Sequence, residues 1–172
     1  LTVTAKALET TELPRSVTAN GTVYPWQEII VGPEVGGYRV AAVNVDVGDR
    51  VRRGQELVRL ADDMLNAEVA SKRANVAQAE ATAGNAAAAY RRGQSLSASN
   101  LLSQSNIDQL RSEELAARAR VDVSKADLAA AELRLRHTHV TAPDDGVIST
   151  RSVNVGQVAQ AGSEMLRLLR QG

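Results

Sequence analysis

Cysteine and phenylalanine are absent from this 172-residue chain, and its only aromatics are Tyr24, Trp26, Tyr38 and Tyr90. Without cysteine there is no disulfide framework, no thiolate nucleophile and no cysteine metal site. Net charge is missing too, since 20 Lys and Arg balance 20 Asp and Glu. That balance argues against a nucleic-acid binder, whose phosphate contacts require a basic surplus. No run approaches the roughly 18 uncharged apolar residues of a membrane span. The sequence from Leu1 also lacks the basic-then-apolar pattern of a signal peptide. An aromatic content of 2% is low for a compact core of this length, because rings bury the most area per side chain. Much of the chain is expected to lie outside a compact core.

Proline is missing between Pro33 and Pro143, and glycine between Gly54 and Gly84. What fills the gap is rich in Ala, Leu, Glu, Gln, Arg and Lys, the strongest helix formers. Alternating steps of four and three from Leu65 reach Val69, Lys72, Val76, Ala79, Ala83, Ala86 and Tyr90. A second such series runs Ile107, Leu110, Glu114, Ala117, Val121, Ser124, Leu128, Ala131 and Leu135. Both are heptad patterns of mainly apolar positions, so the spacing predicts two long helices. The polar segment Ser97 to Asn106, which carries Leu101 and Leu102, predicts a turn between them. A helix from about Asp63 to Leu96 is roughly 50 Å long at 1.5 Å per residue. The pair forms an antiparallel helical hairpin. Its alanines at 79, 83, 86, 117 and 131 permit close backbone approach but bury little area. Such a hairpin is marginal alone and invites packing against neighbours.

The flanks carry strand signals. Val43, Val45 and Val47 alternate with Asn44 and Asp46, and glycines and prolines bound the valine-rich stretches. A shift of 108 residues pairs Val45 with Val153, Val47 with Val155, Gly48 with Gly156, Gly54 with Gly162, Glu56 with Glu164, Arg59 with Arg167 and Leu60 with Leu168. The flanks are thus two copies of one unit, interrupted by the hairpin. Each copy has too few strands to stand alone, so the two are expected to pair into one β-sandwich. The equal glycine spacings mark matching turns where a positive φ is needed.

The run from Val43 to Leu60, a valine strand, Gly48-Asp49, Val51 and then Gly54-Gln55-Glu56-Leu57, resembles the biotinyl/lipoyl carrier fold. Carriers place their modified lysine on the hairpin that follows, but here that stretch is Ala61-Asp62-Asp63-Met64-Leu65, and Lys72 is the first lysine beyond it. Biotin or lipoate carriage is therefore disfavoured. A lipoyl-like unit split by a helical hairpin, entered through Val17 to Val23 and left through Val140 to Ile148, closely resembles the periplasmic adaptor, or membrane fusion protein, family. The resemblance covers essentially the whole chain.

The resemblance implies an α+β architecture with a lipoyl-like β-sandwich from residues 28–61 and 138–170. It places a helical hairpin at 62–137 with its tip near 97–105, and incoming strands of a β-barrel or membrane-proximal region at 1–27, whose return strands follow residue 172. It also implies a function. Adaptors link an inner-membrane transporter, here most simply of the RND type, to a TolC-like outer-membrane channel for efflux of drugs, metals or other small molecules. They assemble as rings, commonly hexameric, in the periplasm of Gram-negative bacteria, associated with the inner membrane. An adaptor of an ATP-driven or type I secretion exporter is the alternative. At the tip, adaptors share an Arg, a Leu four residues on and a Ser seven beyond that, and Arg92, Leu96 and Ser103 match those spacings. The resemblance assigns these three to channel docking. Each also has a structural reading: Arg92 favours the dipole of a helix C-terminus, Leu96 packs across the turn, and Ser103 caps the second helix, with Asp108 in its first turn.

His137 and His139 are the only histidines, and as i, i+2 residues on an outgoing strand they would share a face. That makes them candidate metal ligands. A metal site needs three or four ligands, however, and no acidic partner lies within that stretch. The adjacent acids Asp62-Asp63 read as a helix N-cap and Asp144-Asp145-Gly146 as a turn. The basic pairs Arg52-Arg53 and Arg91-Arg92 read as solvated surface. No nucleophile elbow, phosphate loop, dinucleotide fingerprint or zincin motif occurs, so no enzymatic activity and no cofactor are expected.

Overall fold

The computed structural model describes residues 2–5, 7, 15–21, 27–98 and 103–170. Tyr24, Trp26 and the centre of the expected tip turn, residues 99–102, lie outside the described residues. Four strands come first: β1 (Glu28–Val31), β2 (Val40–Val43), β3 (Arg50–Val51) and β4 (Glu56–Leu60). Two helices follow, α1 (Asp63–Ala98) and α2 (Gln104–Arg136), and then β5 (His139–Thr141), β6 (Gly146–Arg151) and β7 (Leu166–Arg170). The strands form a four-stranded sheet in the order β1-β7-β6-β3 and a three-stranded sheet in the order β2-β4-β5.

The sequence repeat reappears as a two-fold relation between strand pairings. In the first copy Val40, Ala42 and Val43 face Leu60, Arg59 and Val58. In the second, Ile148, Thr150 and Arg151 face Leu168, Arg167 and Leu166, with the register irregularity at the equivalent place. Each copy also reaches into the other. Arg50 pairs with Val147, and reciprocally Val158 pairs with Arg39. Gly48 donates its N–H to the Ile148 carbonyl at 2.8 Å, and Gly156 donates to the Val40 carbonyl at 2.9 Å. Gly48 and Gly156 hold φ of 93° and 90°, a region closed to most L-residues, which is why the turns at both positions carry glycine.

The core lies between the two sheets and is built from equivalent positions of both copies. Val40 and Ile148, Val45 and Val153, Leu57 and Met165, Val58 and Leu166, and Leu60 and Leu168 are all buried. In the β4–β5 pairing the register shifts between Glu56 and Val58, which lets two successive residues, Leu57 and Val58, both turn inward. Close packing of Gly32 against the Ser163 backbone and of Gly146 against the Leu169 backbone leaves no room for a Cβ.

The hairpin grows out of the three-stranded sheet. β4 leads into α1 and α2 leads into β5, its neighbour in that sheet, so both helix roots sit side by side. Leu60 donates its N–H to the Thr138 carbonyl at 2.9 Å, and Ala61 donates to the Arg39 carbonyl at 2.7 Å. Thr138 is buried without cost in unpaired groups, since its hydroxyl donates to the Leu135 carbonyl at 2.6 Å. Asp62 stands at the N-cap position of α1, and its carbonyl accepts from Asn66 at 2.8 Å.

Leu60 and Leu168 occupy equivalent, fully buried sites. Leu60→Ala and Leu168→Ala are each expected to lower unfolding free energy by about 2–5 kcal/mol, the usual range for emptying a leucine site. Urea unfolding curves of the two variants measure this, and their losses should be of similar size.

Candidate functional site: the hairpin and its root

The seam between the helices follows the heptad positions. Leu65, Val69 and Val76 of α1 are buried, and Lys72, Ala79, Ala83, Ala86 and Tyr90 are half-buried. Across from them Ile107, Glu114, Ala117, Val121 and Ala131 are buried, with Leu110, Ser124, Leu128 and Leu135 half-buried. Among the described residues Glu114 is the one buried carboxylate, and Arg118, a turn further along α2, meets it at 2.6 Å. A charge held out of water without such a partner would be strongly destabilising.

Beside the seam, ion pairs join the helices: Glu68 with Arg134 at 3.2 Å, Lys72 with Asp127 at 3.0 Å, Arg73 with Glu132 at 3.1 Å and Glu80 with Lys125 at 2.9 Å. The Glu80 carboxylate, by hydrogen bond and charge, holds the Lys125 ammonium above the ordinary lysine value. These pairs fix which residues of α1 face which of α2. Their signal in the sequence is opposite charges flanking the seam on the two helices, which becomes readable only once the hairpin register is known. Lys72, the first lysine after the lipoyl-like motif, is thus inside the hairpin and engaged, far from a carrier position.

The docking triad lies toward the tip. Arg92 and Ser103 are exposed, and Leu96 is 45% exposed. α1 continues to Ala98, so Arg92 falls short of the last turn, which contains no basic residue. The helix-dipole reading of Arg92 is thereby corrected, because that effect fades beyond the terminal turn. Ser103 is the N-cap of α2 in extended geometry (φ −73°, ψ 152°), and its hydroxyl accepts from the Asn106 N–H at 3.4 Å. Asp108 falls just beyond the first turn of α2, where it accepts from the Gln104 side chain at 3.1 Å.

The two histidines sit at the root. His137 is the C-cap of α2 with helical φ and ψ rather than a strand residue, so it does not share a strand face with His139. Each finds its own acid from a distant part of the sequence. His137 Nδ1 is 2.8 Å from Glu34, in the connection between β1 and β2. His139 Nδ1 is 2.6 Å from Glu56 of β4, with Asp62 at 3.9 Å from its Nε2. Sequence reading missed these partners because they lie in other strands and loops. Among the described residues no group of three or more His, Asp or Glu side chains could hold a metal. The acids of the Asp144-Asp145 pair make long-range structural contacts: Asp145 accepts the Arg53 N–H at 2.7 Å, and Asp144 pairs with Arg170 at 2.9 Å. Among the described residues no helix is long and apolar enough to cross a membrane.

A two-sheet sandwich of interlocked half-units, with a long helical hairpin rising from one sheet, defines the membrane fusion class of protein. The family described as "RND MFP, barrel-sandwich hybrid domain" matches residues 27–171, and the chain belongs to that family. Among curated proteins it is similar to the multidrug resistance protein MdtE of Escherichia coli K12, with 33% identity over 141 residues, 82% of this chain and 36% of that protein. The chain therefore spans little more than a third of the length of that relative. Among solved structures, it resembles a MacA–MexA chimera containing the Pseudomonas aeruginosa MexA α-hairpin domain, at 23% identity and a TM-score of 0.60, covering 85% of this chain and 49% of that one. ZneB from Cupriavidus metallidurans matches at 19% identity and a TM-score of 0.60, covering 85% of this chain and 62% of that one. At these identities the structural likeness speaks for the fold alone.

Exchanging the charges of one cross-helix pair tests the register. Lys72→Glu is expected to cost on the order of 1 kcal/mol in thermal or urea unfolding, the upper end for surface ion pairs, because Lys72 is half-buried and the reversed charge repels Asp127. Adding Asp127→Lys should recover most of that loss, whereas two losses that simply add would contradict the pairing.

Proposed function

We propose that this chain is the hairpin-bearing part of a periplasmic adaptor that joins an inner-membrane transporter of the RND type to a TolC-like outer-membrane channel. The observation that carries this reading is the hairpin itself. An α1 of 36 residues is about 54 Å long, and with α2 it rises from neighbouring strands of one sheet of the sandwich. Such an element is suited to spanning distance. The name of the relative MdtE, a multidrug resistance protein, supports small-molecule efflux as the process served. The role is structural rather than enzymatic, and no cofactor is needed for it. The lipoyl-like unit comprises residues 28–61 and 138–170, the hairpin 62–137, and residues 1–27 lead toward a β-barrel or membrane-proximal region. The full protein works in the periplasm, held at the inner membrane.

Ring formation, with six copies as the expected number, has support in the outward helix faces. Opposite its seam, α1 presents Ala67, Ala70, Ala74, Ala77 and Ala81, all exposed. Opposite its own seam, α2 presents Leu115, Ala119, Val123, Ala126, Ala130 and Leu133, also exposed. Each set recurs at three- and four-residue steps, the spacing of a helix-packing face. A small-residue face on one helix and a larger apolar face on the other suit side-by-side stacking of hairpins.

At the tip, Arg92, Leu96 and Ser103 engage the channel. Arg92→Asp and Leu96→Asp are each expected to reduce capture of the cognate channel at least tenfold in a pull-down, with the helical circular dichroism signal unchanged. Capture and efflux at parental levels in both variants would sink the docking assignment.

A further inference from the structure

The lower and upper parts of the hairpin are held by different forces. All of the cross-helix ion pairs found among the described residues lie between Glu68 and Glu80 on α1 and between Lys125 and Arg134 on α2. In and just before that stretch α1 contributes buried Leu65, Val69 and Val76. Beyond Glu80 the contribution of α1 changes. Ala83, Ala86, Ala87, Ala88, Ala89 and Tyr90 are only half-buried, and alanine offers little area per residue. The facing stretch of α2 has Ile107 and Ala117 buried, but it also places the Glu114 carboxylate in the seam. Arg118 offsets that charge from within the same helix, so this ion pair adds no tie across the hairpin.

Gly84 marks the boundary. A Cβ built on it meets nothing within 4 Å, so no close approach explains the absence of a side chain. Its cost is nonetheless real, because glycine inside a helix loses more backbone freedom on folding than any other residue. The deficit falls where the ion pairs end.

We propose that the hairpin is two cooperative segments: a lower one clamped by cross-helix ion pairs, and an upper one, beginning at Gly84, that opens on its own while the lower segment and the sandwich stay folded. The opening is local unfolding of the low-stability end of one structure, with the sheets and the lower seam as the high-stability remainder. It requires no ligand and rests on contacts within this chain alone. It is therefore independent of the docking role of Arg92, Leu96 and Ser103 and can be tested without a channel.

Native-state hydrogen exchange of the chain, read by mass spectrometry or NMR, distinguishes the two segments. Amides of residues 84–96 and 108–117 are expected to show at least about tenfold less protection than those of 67–80 and 121–135. Gly84→Ala is expected to raise protection of the upper amides about fourfold, the factor equivalent to about 0.8 kcal/mol of helix propensity, and to leave the lower amides unchanged. Equal protection of both segments in the parent chain, or a Gly84→Ala gain shared equally by both, would make the hairpin one cooperative unit and overturn the proposal.

Discussion

Neither half of the sandwich can complete a sheet from its own strands. β1 lies against β7, β3 against β6 and β5 against β4, so both sheets are woven from both copies of the repeat. A strand edge left without its partner exposes backbone donors and acceptors, and a two-stranded hairpin is marginal in water. The sandwich therefore exists only when chain segments separated by the whole hairpin are brought back together. That requirement shapes the root: the helices must leave and return at adjacent strands, and Leu60 to Thr138 and Ala61 to Arg39 fix them there. An antiparallel pair of helices meets the condition at little topological cost, since its two ends are neighbours by construction.

Reciprocity between the copies explains why so much of the sandwich could be read from residues alone. The 108-residue shift matched glycines to glycines and leucines to leucines, and the same shift maps pairings, turns and core positions onto one another. The hairpin seam was legible for a different reason. Helical period and apolar spacing are local properties, and Leu65, Val76, Ile107 and Val121 face the partner helix because nothing else could cover them. Even the polar seam positions Lys72, Glu114 and Ser124 follow the period rather than their own hydropathy.

What escaped sequence reading is long-range and polar. Glu34 and Glu56 are far from His137 and His139 in the chain, and nothing in the local pattern of either histidine points to an acid. His137 itself was expected on a strand, but the helix runs to Arg136 and takes it as a cap. The helix-dipole reading of Arg92 failed because α1 ends later than the polar composition after Leu96 suggested. Ser103 shows the reverse case: a cap needs only a local hydroxyl at the right place, and the hydroxyl is there.

The distribution of attachments between the two sheets has a mechanical meaning. Both helices spring from the three-stranded sheet, whereas the strands nearest the two ends of the described sandwich, β1 and β7, belong to the four-stranded sheet. A force on the hairpin therefore cannot travel to Gln27 or Arg170 along a single run of paired strands. It crosses between the sheets as shear through the leucines and valines of the core, and along the backbone connections at 32–39, from β1 to β2, and 52–55, from β3 to β4. Close-packed side chains resist sliding, so the sandwich acts as a stiff coupling between the root of the hairpin and the outer strands β1 and β7.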